Sequence, residues 1–136
     1  EGQIEGSTYM GFGEALMEEH GVDAEHRGAH AGPSLLDYRM PTFLDTPELA
    51  AMIVEAPDEN GPYGAKEAGE GPLHSSIPAI ANAIYDAVGI RLDRIPFSPP
   101  RVLAALAERR RREQAGELPP HKPVVGSTPN STRRSA

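Results

Sequence analysis

A chain of 136 residues falls within the size of one domain, and with 38% hydrophobic residues, 5% aromatics and no Trp its core must come from aliphatic side chains rather than rings. It has no Cys, which excludes disulfides, thiolate zinc sites and iron–sulfur ligation within the chain. The net charge of −7 is uneven: residues 1–100 carry 17 acidic and 5 basic side chains, residues 101–136 carry 3 and 8, and so acidic a body argues against nucleic acid as a partner.

Gly and Pro number 14 each, well above ordinary usage, which predicts much irregular backbone and dependence on packing against something else. No apolar run reaches the roughly 18 residues of a transmembrane helix. Residues Glu1 to Glu5 have neither the basic start nor the apolar stretch of a signal peptide, so no membrane span and a cytoplasmic location are expected. They also do not resemble a translation start.

The first predicted element is a helix over Glu5–Glu19, where Tyr9, Phe12, Leu16 and Met17 recur at helical spacing. Gly6, Gly11 and Gly13 interrupt that face, a pattern suited to the close approach of another backbone or a ligand. His20–Pro33 has no periodicity and reads as a loop or hairpin tip. Leu35–Met40, stopped by Pro41, and Met52–Glu55, β-branched and bounded by Pro57, read as short strands. After a long Gly- and Pro-punctuated loop, Gly61–Leu73, comes the clearest helix. Ser75 or Ser76 is its expected cap, Pro78 suits its first turn, Ile77, Ile80, Ala81, Ile84, Tyr85 and Val88 form its stripe, and Gly89 ends it. A last helix opens with Ser98 as cap and Pro99 at its first position and runs into Arg109–Arg112, read as a solvated face. From Gly116 to Ala136 there is little to bury, so a disordered or extended tail is expected beyond a folded part at 1–115.

Several local patterns carry little chemistry. Gly11-Phe12-Gly13 lacks the third Gly and the preceding strand of a dinucleotide loop, and Gly61–Lys66 lacks the Gly-Lys-Ser/Thr ending of a phosphate loop. His26 and His30 are spaced as ligands on one helix turn, but Gly28 and Gly32 favour a surface loop, so no metal ligand is assigned. Asn130-Ser131-Thr132 matches a glycosylation acceptor without a secretion signal to give it meaning.

Gly61–Leu73 is different in kind. It places Lys66, Glu67 and Glu70 among four glycines just before a helix. The plain reading is a solvated acidic turn. Against it, Gly69 and Gly71 flank Glu70 and let its backbone approach a ligand, and paired carboxylates can raise one another's pKa into the range useful for a base.

Three further stretches accompany this loop: Ile77–Gly89, Ile95–Leu103, and upstream Gln3–Gly6 with Leu36–Thr42. Together and in this order they resemble the end of the molybdopterin-binding large subunit of the xanthine dehydrogenase (molybdenum hydroxylase) family, over residues 1 to about 107. Lys66–Gly71, with Glu67 where the general pattern has Gly, is closer to the branch resembling 4-hydroxybenzoyl-CoA reductase.

The resemblance implies an α+β fold: short strands and at least three helices, the C-terminal segment of a molybdenum-cofactor-binding domain docked on a larger partner chain. It implies an oxidoreductase acting on an electron-poor aromatic, heterocyclic or aldehyde carbon, in which Glu70 faces the molybdenum as catalytic base. Gln3 and Gly69 would lie against the cofactor. That cofactor is molybdenum–molybdopterin, in the cytosine dinucleotide form for a bacterial protein, with iron–sulfur clusters and FAD on partner chains. The implied partners are the remainder of the molybdenum-binding subunit, an iron–sulfur subunit, an FAD subunit and a small-molecule substrate.

Two departures qualify the match: Met10 stands where many members carry a second Gln, and the family's large subunit is several times longer, which implies a split subunit or a fragment. Two other classes stay open at this stage. One is a non-catalytic assembly piece that completes a molybdoenzyme fold, with Glu70 a relic, and the other is a small acidic binding domain unrelated to molybdoenzymes.

Overall fold

The structure, a computed structural model, describes residues 1–23, 29–31, 34–36 and 38–123. The readings that involve His26, Gly28, Gly32, Asp37, Asn130–Thr132 and the last part of the tail lie outside the described residues. Helix α1 spans Gly2–Leu16, strands β1 and β2 span Gly21–Asp23 and Ala29–Ala31, and helices α2 and α3 span Leu73–Val88 and Pro99–Gln114. Short 3-10 turns lie at Phe43–Asp45 and Pro62–Gly64. Among the described residues no helix is long and apolar enough to cross a membrane.

Helices α1 and α2 pack against each other, and Gly11 shows why α1 is so rich in glycine. A Cβ built on Gly11 would stand 2.7 Å from Ser76 Cβ and 2.9 Å from the carbonyl oxygen of Leu73, closer than side-chain carbon can come. The helices therefore meet backbone to backbone at this point, with Ser7 and Ser76 both buried along the contact. Below it lies a small core of Ala15, Ile90 and Phe97. The amide of Phe97 donates to the carbonyl of Ala15 at 2.5 Å and ties the α2–α3 connection to the end of α1. Arg101 reinforces this junction by donating to Glu19 at 2.5 Å and to the carbonyl of Pro96 at 2.9 Å.

The segment after the hairpin is held to α1 by two tyrosines. Tyr9 donates its hydroxyl to the carbonyl of Pro41 at 2.5 Å, and Tyr38 donates to Glu18 at 2.7 Å. The hydrogen bond to Glu18 raises the Tyr38 pKa above its ordinary value, helped by burial and by the charges of Glu18 and Glu14. The turn at 43–45 is closed by Asp45, which accepts from the amide and the hydroxyl of Thr42. These two bonds, the amide's first, lower the Asp45 pKa.

Three local expectations change. Leu35–Met40 is not a strand in its described residues: Tyr38 donates its amide to the carbonyl of Ser34 at 3.0 Å, which closes a turn there. Met52–Glu55 is unpaired and forms no strand among the described residues, since β propensity makes a strand only where a neighbouring edge accepts its hydrogen bonds. The observed sheet is instead an antiparallel hairpin inside His20–Pro33, with Gly21 opposite Ala31 and Val22 opposite His30. Lastly, α2 starts at Leu73 with Pro72 as N-cap, so Pro78 stands inside the helix and neither serine caps it. Ser75 and Ser76 donate back to the carbonyl of Pro72 at 2.9 and 3.2 Å, the bonding that serine uses within a helix.

The helix ends follow their sequence signals more closely. Gly89 terminates α2 in the left-handed region at φ 70°, and α3 has Ser98 as N-cap and Pro99 in its first turn, although no side-chain cap bond forms. The basic end of α3 is internally paired, Arg109 with Glu113, Arg111 with Glu108 and Arg112 with Glu117. Arg109 also donates to the carbonyls of Gly89 and Pro119, and His121 bonds the carbonyl of Asp86 and lies edge-on to Tyr85. Residues 117–121 thus run back along α2 and α3.

Candidate functional site: the loop before helix α2

The loop between the two 3-10 and α-helical elements, 65–72, carries Lys66, Glu67, Gly69 and Glu70 to the side of α1's first turn. Its entry is a tight turn: the amide of Asp58 donates to the carbonyl of Gly64 at 3.1 Å, that of Gly61 to Asp58 at 3.2 Å and that of Gly64 to Gly61 at 2.9 Å. Its exit is fixed by the amide of Leu73, which donates to the carbonyl of Glu70 at 3.2 Å. Glu70 is therefore held by its backbone at the foot of α2, with its carboxylate exposed.

Glu67 does more than sit near Glu70. Its carboxylate accepts the Glu70 amide at 2.5 Å, which fixes the direction in which the loop passes. A Cβ built on Gly69 would stand 3.5 Å from Oε1 of Glu67 and 3.6 Å from Oε1 of Gln3. Gln3, Glu67, Gly69 and Glu70 are thus brought together, although Gln3 and Gly69 are 66 positions apart in sequence. The bare backbone at Gly69 forms an open shelf between the Gln3 amide and the Glu67 carboxylate.

Beside this shelf opens a cleft of about 520 Å³, lined on one side by Lys66, Glu67, Gly71 and Pro72 and on the other by the segment 52–57. Ile4 of α1 forms part of its floor. Sequence reasoning missed this second wall, because nothing in the spacing of Met52–Pro57 ties it to a loop many residues later. Met10 lies on α1 with its side chain half exposed.

The remaining sequence candidates stay apart from the loop. Gly11 and Gly13 are buried inside α1, which rules out a phosphate-cradling turn there. His30 stacks on His20, with Nε2 of His20 2.6 Å from Nδ1 of His30. Among the described residues no group of three or more His, Asp or Glu side chains is arranged to hold a metal ion.

Known proteins resemble this chain in sequence and in fold. The profile of the molybdopterin cofactor-binding domain matches residues 1–47. A xanthine dehydrogenase molybdenum-binding subunit of Escherichia coli is 41% identical over 102 residues, covering 75% of this chain and 13% of its own length. The aldehyde oxidoreductase of Megalodesulfovibrio gigas is 40% identical over 107 residues, 78% of this chain and 11% of that protein. The chain belongs to the xanthine dehydrogenase family, within its molybdenum-binding large subunit. A crystal structure of a Cu,Mo-containing CO dehydrogenase superimposes with a TM-score of 0.62 at 28% identity, over 85% of this chain and 14% of that one. The reconstituted CO dehydrogenase of Oligotropha carboxidovorans gives 0.65 at 27% identity with the same coverage. The chain spans 11–14% of the length of these relatives.

Proposed function

We propose that this chain supplies the catalytic base, Glu70, and part of the cofactor wall, Gln3 and Gly69, of a molybdenum-dependent oxidoreductase that acts at an electron-poor aromatic, heterocyclic or aldehyde carbon. The observation that carries this reading is the meeting of Gln3, Gly69 and the Glu67–Glu70 pair beside one cleft, in a member of this family. Molybdenum–molybdopterin, when bound, supplies two-electron redox chemistry that no side chain here can perform.

The chain's own contribution is binding and proton transfer. Gln3 offers an amide with both donor and acceptor capacity, suited to the edge of a pterin. Gly69 leaves its backbone open to close approach. Glu70 accepts the proton released during oxidation and, being exposed, passes it on to water. Glu67 holds the Glu70 amide and thereby sets where that carboxylate points. The cytosine dinucleotide form of the cofactor and a substrate class like that of 4-hydroxybenzoyl-CoA reductase belong to the same proposal, the latter resting on Glu67. With no Cys in the chain, iron–sulfur clusters would sit on a partner subunit, and FAD on another.

The shelf at Gly69 provides the test. Gly69→Leu would push a branched side chain into the space beside Glu67 and Gln3. The assembled enzyme should keep its subunits and lose most of its molybdenum and pterin. Full cofactor content with native turnover in this variant would contradict the placement of the cofactor against Gly69.

A further inference from the structure

We infer that residues 51–56 are a β-strand donated to an open sheet edge of the remainder of the large subunit, and that this pairing sets the cleft wall opposite the Glu70 loop. The inference rests on the reading of this chain as a working part of an assembled large subunit. It adds which surface docks, how it docks and what the docking controls.

The composition of the segment is that of a strand. Met52-Ile53-Val54 lies between Pro47 and Pro57, residues that punctuate extended chain without continuing a sheet. In the structure the segment belongs to no helix or sheet, and among the described residues none of the backbone groups of 47–57 makes a backbone–backbone hydrogen bond. The hairpin β1–β2 is a separate two-stranded sheet and does not reach it. A segment of strand-forming residues whose donors and acceptors find no backbone partner among the described residues is a template for pairing with another edge.

The side chains point the same way. Met52, Ile53 and Val54 are 87%, 57% and 82% exposed, so both faces of the pleat present apolar surface to solvent. Across the cleft, Tyr63 is fully exposed and adopts φ 55°, a left-handed conformation that costs free energy for an aromatic residue. Strain that holds a large ring out in water is sensible where a partner covers the ring. Tyr is also the kind of residue that anchors interfaces.

The occupant follows from the length of subunit not present here. The chain spans 13% of its xanthine dehydrogenase relative, so the greater part of the cofactor-binding body is available to cover this face. Main-chain pairing gives such docking its direction, with apolar side chains on alternate positions filling pockets on either side. The consequence for the site is mechanical. The segment 52–57 is one wall of the cleft, and the turn linking Asp58, Gly61 and Gly64 connects it directly to the loop that carries Glu67 and Glu70. Seating the strand therefore fixes the entry of that loop.

The test is amide hydrogen exchange on the assembled enzyme, with a proline scan beside it. At least alternate amides of residues 51–56 should exchange ~100-fold or more slowly than in an unstructured peptide. At Ile53 or Val54, one of the two proline variants should lose assembly, while the corresponding alanine variant keeps most of it, since only proline removes the N–H. Peptide-like exchange throughout 51–56 in an enzyme that holds molybdenum and turns over would overturn the strand and leave the functional proposal standing. Equal assembly of proline and alanine variants at both positions would also overturn it. Protection found only in self-associated chain, without the rest of the subunit, would overturn it in favour of a second copy as occupant. Protection in an assembly devoid of molybdenum and pterin would uphold the strand and remove the functional proposal instead.

Discussion

Glu70→Gln in the assembled enzyme is expected to leave the molybdenum cofactor bound and to slow turnover by roughly 10²–10⁴-fold, the share that general-base catalysis supplies. The amide has nearly the shape of the carboxylate, and the backbone bonds that place residue 70 do not involve its side chain: its amide meets Glu67 and its carbonyl meets the amide of Leu73. Loop position should therefore survive while proton acceptance is lost. Glu67→Gln should cost far less, because Oε1 of Gln can still accept the Glu70 amide. Glu67→Ala should cost more than Glu67→Gln, since it frees that amide and lets the loop drift. Rates of cofactor reduction in single turnovers, with molybdenum measured in each variant, separate these cases. Equal losses in Glu67→Gln and Glu70→Gln, or a near-native Glu70→Gln enzyme with full metal, would leave Glu70 as a relic in an assembly piece.

The largest effect expected on stability is at the helix crossing. Gly11→Val would drive a branched side chain into Ser76 and the carbonyl of Leu73, where even a Cβ would be 2.7 and 2.9 Å from its neighbours. Serine can be trimmed, but the backbone carbonyl cannot move without shifting α2, so the overpacking should cost about 1–3 kcal/mol. Because α2 begins just after Glu70, the displacement should also loosen the candidate site. Pairing the change with Ser76→Gly should recover only part of the loss, as the clash with Leu73 remains. Thermal unfolding of the assembled enzyme measures this. A Gly11→Val variant as stable as the parent would show that α1 and α2 are not locked at that point.

Helices α2 and α3 were legible because each has a recognisable boundary signal, Gly89 at the end of α2 and the Ser98-Pro99 pair at the start of α3. The start of α2 was not, since a serine before an apolar run signals a cap, whereas Ser75 and Ser76 turn their hydroxyls back to Pro72 inside the helix. The two expected strands illustrate a different limit. Met52–Glu55 has the residues of a strand, but a strand is a relation between two segments, and among the described residues none pairs with it. At the site, the loop 61–73 and its resemblance could be read directly, whereas a role for Gln3 came only as an implication of that resemblance. The contact of Glu67 with the Glu70 amide is set by the local loop conformation, which no helix or strand periodicity predicts, and the cleft wall from 52–57 depends on how separate segments sit in space.

A chain with this role works at a molybdenum–pterin centre. The direct measurement is molybdenum and pterin content of the complex that co-purifies with the chain from its native source. One molybdenum and one organic pterin cofactor for each copy of the chain, lost together in Gly69→Leu, is the expected result. A stable complex with substrate-independent spectra and neither molybdenum nor pterin would contradict it.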